Sequence, residues 1–271
     1  MRHQAVLCAL ILAASAVSNL QGQSQPSTSE LVQISPPTMR RAAPPAATSS
    51  PAELERRGDE LRVEKDYLDA LDYYRAALAK NPNSAKIYNK AGIAELLMQH
   101  FKEAGKDFER AIHFDRQSAD AENNLGVIDY EAKNYRKAIK QYSKAIRLQP
   151  DSASFYSNMG AAYFGKKQFE KAAESYAKAM ELDPGIFDRI SHNGISAQLP
   201  SPADRAHYDY LIAKLCAKHG DSDRSLQYLR RAMEEGYKEI NDVYKDPEFT
   251  GLRSDARFTE LMAARPLAIP E

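Results

Sequence analysis

Six histidines, His3, His100, His113, His192, His207 and His219, are the residues best suited to bind a metal or move a proton near neutral pH. None stands three or four residues from another, so no pair can share a helix face as ligands, and the His-Glu-x-x-His pattern is absent. His192, beside Asn193 and Gly194, is the one set in a loop of unusual composition, and loop decoration accounts for it better than catalysis. Two cysteines, Cys8 and Cys216, are too few for a zinc or disulfide framework, and Cys216 on an apolar helical stretch reads as a small buried hydrophobe. No glycine-rich phosphate loop occurs. The expectation is a non-enzymatic chain with no cofactor and no metal. What remains is hydrogen-bonding chemistry: Asn124 and Asn158 stand 34 residues apart, and a carboxamide that both donates and accepts suits the main chain of a bound peptide.

The spacing of those asparagines belongs to a larger pattern. Gly58, Gly92, Gly126 and Gly160 also recur every 34 residues, although glycine is only 12 of the 271 residues. Ala70, Ala104, Ala138 and Ala172 keep the interval, as do Ala77, Ala111, Ala145 and Ala179. Aromatic residues fill two more columns, Tyr67, Phe101, Tyr135 and Phe169, then Tyr74, Phe108, Tyr142 and Tyr176. A period of this length marks a stack of supersecondary units.

Each column has a structural reason. Ser50, Ser84, Ser118 and Ser152 precede an apolar helical pattern, where a hydroxyl can accept from the free N–H groups of a new helix. Ser50-Pro51-Ala52-Glu53 is the fullest of these starts, with proline at the first helical position and glutamate at the third. Pro82, Pro150 and Pro184 end three of the second helices. Glycine inside a helix costs about 1 kcal/mol relative to alanine. Close approach of the two helices of a hairpin offsets that cost, with aromatics filling the gap to the next unit. A lone hairpin cannot bury both faces, but a stack can.

These columns resemble the tetratricopeptide repeat across residues 51–185, in units 51–84, 85–118, 119–152 and 153–185. The departures are local. Arg57 replaces an apolar residue, Asp129 stands beside Tyr130 where an aromatic is usual, and Arg116 replaces proline, which suggests a looser turn between the second and third units. The resemblance implies an all-α, right-handed superhelical solenoid whose first helices line a concave groove for a protein or an extended peptide. The matching positions are Lys86, Asn89, Lys90, Ile93 and Leu97, then Asn123, Asn124, Val127 and Tyr130, then Ser157, Asn158, Ala161 and Phe164. The subgroup that grips a C-terminal carboxylate is not indicated, because Glu55, Asp59 and Ile93 occupy its groove positions.

The flanks read differently. Residues 1–17 combine Arg2, an apolar run from Ala5 to Val17 and Ala14-Ser15-Ala16, the form of a cleaved secretory signal, too short to span a bilayer comfortably, with a retained anchor as the alternative. The mature chain is then exported, periplasmic or extracellular, without an integral membrane span. Residues 18–50 are rich in Pro, Ser, Thr and Ala and read as a disordered linker. Residues 186–200 form an irregular insertion whose Asn193-Gly194 between isoleucines is also a signal for a small β-hairpin. Residues 201–237 look like a diverged fifth hairpin, and 238–271 like a cap over the open end. With 37 basic and 37 acidic residues, bulk charge does not favour nucleic acid. The reading is a scaffold that docks a protein or peptide, the alternative being a self-associating structural component of a cell-envelope assembly.

Overall fold

The computed structural model describes residues 42–187 and 202–264, all within the unit spanning 36–271. Eight helices form four hairpins: α1 Pro51–Val63 with α2 Tyr67–Lys80, α3 Ala85–Leu97 with α4 Phe101–Phe114, α5 Ala119–Glu131 with α6 Tyr135–Leu148, and α7 Ala153–Gly165 with α8 Phe169–Leu182. Every first helix has 13 residues and every second helix 14. The fold is all-α, a solenoid of stacked hairpins, and no strand occurs among the described residues.

The turn inside each of these hairpins is built from a residue that sequence patterning passes over. Lys65, Gln99, Lys133 and Lys167 all adopt left-handed backbone, with φ of 67°, 62°, 58° and 58°. In the third hairpin Lys133 N–H donates to the Tyr130 carbonyl at 2.8 Å, and Asn134 N–H donates to the Asp129 carbonyl at 2.8 Å. This pair of hydrogen bonds closes the end of the first helix and aims the chain back along it.

Starts are less uniform than the serine column implies. Ser50 makes the full reciprocal cap, accepting from Glu53 N–H at 3.3 Å while its own N–H donates to Glu53 Oε2 at 2.7 Å. Ser84 accepts from Ile87 N–H at 3.4 Å. Ser118 and Ser152 make no side-chain capping bond, and the Ser152 hydroxyl lies 3.0 Å from that of Ser154 instead. Arg116 does not loosen the turn it occupies: Ser118 N–H donates to the Asp115 carbonyl at 3.1 Å, the counterpart of Ser84 to Asn81 at 3.4 Å.

The glycine column packs within its own hairpin. A Cβ added to Gly58, Gly92, Gly126 or Gly160 would stand 2.6, 2.6, 2.5 or 2.5 Å from the ring of Tyr74, Phe108, Tyr142 or Tyr176. The aromatics therefore lie flush against the first helix of the same unit, which corrects the expectation that they chiefly fill the gap to the next. Alanines at 70, 104, 138 and 172 are fully buried on the facing helices. Between units, Arg75 on α2 pairs with the buried carboxylate of Asp107 on α4, 2.8 Å to Oδ1, and lies 3.6 Å from Glu95.

The end of the expected linker is held in place. Tyr73 Oη donates to the Ala43 carbonyl at 3.0 Å, Lys80 Nζ donates to the carbonyls of Ala47 and Ser49 at 2.6 Å each, and Ala42 N–H donates to Asp69 Oδ1 at 3.2 Å. Disorder thus does not extend through 42–50, because side chains of α2 satisfy this backbone. The leader and the rest of the linker lie outside the described residues, as does the β-hairpin signal at Asn193-Gly194.

Beyond the fourth hairpin, α9 Pro202–Lys218 and α10 Ser222–Glu234 pair through a turn at Gly220, φ 77°. Three short 3-10 turns, Ile240–Tyr244, Pro247–Phe249 and Leu252–Ser254, lead to α11 Ala256–Ala264. Phe249, Leu252, Phe258 and Leu261 from this last stretch share one buried cluster with Ile212, Cys216, Tyr228 and Leu229. They cover the apolar face that α9 and α10 would otherwise leave open. No helix among the described residues is long and apolar enough to cross a membrane.

Candidate functional site

Successive first helices are joined by a polar ladder with a fixed step. Lys90 Nζ on α3 donates to Glu55 Oε1 on α1 at 2.6 Å, 35 residues back. Asn124 Nδ2 on α5 donates to Asn89 Oδ1 on α3 at 3.1 Å, again 35 residues back. Asn158 Nδ2 on α7 donates to Asn123 Oδ1 on α5 at 2.9 Å, with the same separation. Asn123 Nδ2 closes the gap between rungs by donating to Asn124 Oδ1 at 3.2 Å. The line begins charged at α1 and α3 and becomes amide by α5 and α7.

This arrangement changes what several residues read from the sequence can do. Asn123 and Asn124 are 0% exposed and Asn158 is 1% exposed. Their amides bond to one another because a buried amide without a partner is costly, so they hold helices together instead of facing a ligand. Val127, Tyr130, Ala161 and Phe164 are buried as well. The Tyr130 ring packs 5.4 Å from Tyr135, and Phe164 meets Phe169 at 5.1 Å and His207 of α9 at 5.3 Å. The third and fourth units thus use these side chains as core.

The accessible part of the face lies toward α1 and α3. Lys86 is 71% exposed and its Nζ sits 2.7 Å from Glu55 Oε1. Asn89, Lys90, Ile93, Leu97 and, farther along, Ser157 are half-buried. Burial alone would raise the Glu55 carboxyl, but hydrogen bonds from Lys86 and Lys90 hold it below the usual carboxylate range. Lys90 also pairs with Asp59. Beside these residues a cleft of about 370 Å³ opens between the starts of α3 and α5, lined by Lys86, Asn89, Gln117, Asp120, Leu148 and Gln149 among others. Burial pushes the Asp120 carboxyl up, and Leu148 exposes 41% of its surface. Asn89 belongs to both features, since its carbonyl takes the Asn124 amide while the residue lines the cleft.

Asp120, Gln117 and Leu148 were not legible as site residues, because each sits at a helix end where the repeat columns carry no pattern. Among the described residues no group of three His, Cys, Asp or Glu is placed to hold a metal ion. His100 Nδ1 lies 2.8 Å from Glu95 Oε2, and His207 packs edge-on or tilted among the rings of Phe164, Phe169 and Tyr237.

Two family models described as tetratricopeptide repeat match residues 56–122 and 153–186, and one described as TPR repeat matches 128–167. No curated protein sequence matches the chain. Among solved structures, pilF of Pseudomonas aeruginosa is similar at 19% identity and a TM-score of 0.53, over 79% of this chain and 97% of that one. MamA from Desulfovibrio magneticus RS-1 aligns at 18% identity and a TM-score of 0.49, over 70% and 97%. YrrB, described as a TPR protein with an unusual peptide-binding site, aligns at 18% identity and 0.45, over 71% and 89%. At 19% identity the likeness to pilF is one of fold.

Proposed function

From the premise that the chain belongs to the tetratricopeptide-repeat family, and so is built as a protein-interaction scaffold, we propose that it docks an extended peptide or protein segment on the first-helix face between α1 and α5. The carrying observation is the cleft at the start of α3 and α5, where Lys86 and Asn89 stand beside half-buried and exposed positions. Its mixed lining suits a peptide: Lys86 and Asp120 meet opposite charges, Asn89 and Gln117 meet main-chain amides, and Leu148 offers a small apolar contact. Ile93 and Leu97, one and two turns along α3, extend the surface with apolar area at helical spacing.

The place of action goes with this reading. The short apolar run before Ala14-Ser15-Ala16 supports a role outside the cytoplasm, in the periplasm or beyond. Binding in such a groove needs no bond-making chemistry, and the repeat family is generally non-catalytic. The test is a pull-down from envelope extract with the chain as bait, followed by affinity measurement for the recovered partner. Lys86→Glu combined with Leu97→Ser should lower affinity at least tenfold, a larger change than that expected from Glu55→Gln, which breaks the same Lys86 pair on the fold side alone. An unchanged affinity would move the docking surface elsewhere.

A further inference from the structure

Between α8 and the block formed by α9 and the turns after α10, the packing leaves a second cleft of about 570 Å³, a size typical of ligand sites. It lies away from the first-helix face and has a different chemistry. Four rings line it in an unbroken run: Phe169 of α8 is 4.1 Å from His207 of α9, His207 is 5.5 Å from Tyr237, and Tyr237 stacks on Tyr210 at 4.4 Å. Burial holds His207 below the usual histidine range, so at pH 7 it adds an aromatic face without a charge.

Five carboxylates surround the rings: Glu170 and Glu174 from α8, and Asp242, Asp246 and Glu248 from the closing turns. The cationic side chains in the lining are Lys214 and Lys218. Lys214 is taken up by Asp246 at 2.9 Å and lies 3.5 Å from Glu248, and Tyr210 Oη donates to Asp246 at 2.8 Å. Glu248 Oε2, the oxygen that faces Lys214 at 3.5 Å, is buried and makes no hydrogen bond. Glu170 and Glu174 stand exposed at the mouth. The cleft therefore couples an aromatic wall to an excess of negative charge.

We propose that this cleft binds a cationic side chain, arginine or lysine, presented by a basic segment of a protein partner. Ring faces attract a cation through their quadrupoles, most strongly where water is excluded, and carboxylates at the mouth add charge-assisted hydrogen bonds. Asp242 is paired with Lys245 at 2.9 Å and Asp246 with Lys214, so the charge that meets a ligand is chiefly that of Glu170 and Glu174, which repel an anion at the mouth.

The experiment titrates a fluorescein-labelled hexa-arginine peptide with the full chain and follows anisotropy, with a hexaglutamate peptide as the opposite charge. Saturable binding of the arginine peptide alone is expected. Glu170→Gln with Glu174→Gln should weaken it at least tenfold, while Glu103→Gln with Glu109→Gln on α4 should change it less than twofold. All four residues are exposed, so melting curves should coincide. Should the α8 variant melt early, Glu174→Gln alone, at an exposed position, gives the second reading, with at least threefold weaker binding expected. Absence of binding, equal loss in both double variants, or displacement by free guanidinium at the peptide's own concentration would each overturn the proposal, the last by making the cleft a small-cation site.

Discussion

Asn158 on α7 donates its carboxamide to Asn123 on α5 across 2.9 Å, and both side chains are closed to solvent. The bond fixes the register of two successive hairpins, since an amide so placed is satisfied in one alignment and orphaned in any other. Asn158→Ala removes the donor and leaves the Asn123 carbonyl buried with one partner fewer, at a cost of about 1 to 3 kcal/mol. Denaturant midpoints should show this loss, and a cycle with Asn123→Ala should show coupling of at least about 0.5 kcal/mol. Midpoints equal to the parent would mean that the ladder does not hold the stack.

Glycine at two kinds of position should respond in opposite directions to the same change. Gly126→Ala places a methyl 2.5 Å from the fully buried Tyr142 ring, and overpacking of this kind costs about 1 to 3 kcal/mol, more than the gain in helix propensity. A methyl at Gly105 would meet only Ile128 Cδ1 at 3.8 Å. Gly105→Ala should therefore stabilise by up to about 1 kcal/mol. Thermal melts of the two variants should move apart, and a shift of equal sign would remove the packing argument.

Asp209 on α9 makes stability depend on pH. It is fully buried, and burial raises its pKa from 3.8 to about 7, with Glu235 adding to the rise while Arg231, whose Nε lies 3.1 Å away, and Arg205 oppose it. The folded state thus holds this proton more tightly than the unfolded chain. The resulting stability is complete below the unfolded pKa and is lost as pH rises through the folded one, between about pH 4 and pH 7. Asp209→Asn keeps the shape without the charge. It should melt near the parent at pH 5 and exceed it by about 1 to 3 kcal/mol at pH 8. A difference that does not grow with pH would show that Arg231 compensates the charge fully.

Much of the fold was legible because the helix contacts repeat. Gly126 and Tyr142 recur in register since each hairpin needs the same close approach, and a repeated need leaves a repeated residue. The left-handed turns at Lys65, Gln99, Lys133 and Lys167 also recur every 34 residues, but a column of lysines and a glutamine does not announce positive φ as glycine would have. The candidate site was harder to read. Asn124 and Asn158 share a column at 34 residues, but their bonds run at 35, from one unit to the neighbouring position of the unit before. A column shows that a residue type recurs and does not show whether it faces the next helix or a ligand. Phe169, His207, Tyr210 and Tyr237 converge only through the packing of α8, α9 and the closing turns, which no local pattern encodes.

The central claim is that the first-helix face near α3 is the docking surface, and site-specific photo-cross-linking tests it most directly. A benzophenone side chain at Leu97, half-buried on α3, is compared with one at Glu109, exposed on the second helix α4. In envelope extract the Leu97 probe should give a discrete adduct whose mass spectrum maps to one peptide segment, lost on adding Lys86→Glu, while the Glu109 probe gives none. Adducts from Glu109 with none from Leu97, or a Leu97 adduct only with a second copy of this chain, would contradict the account and favour the outer helices or self-association.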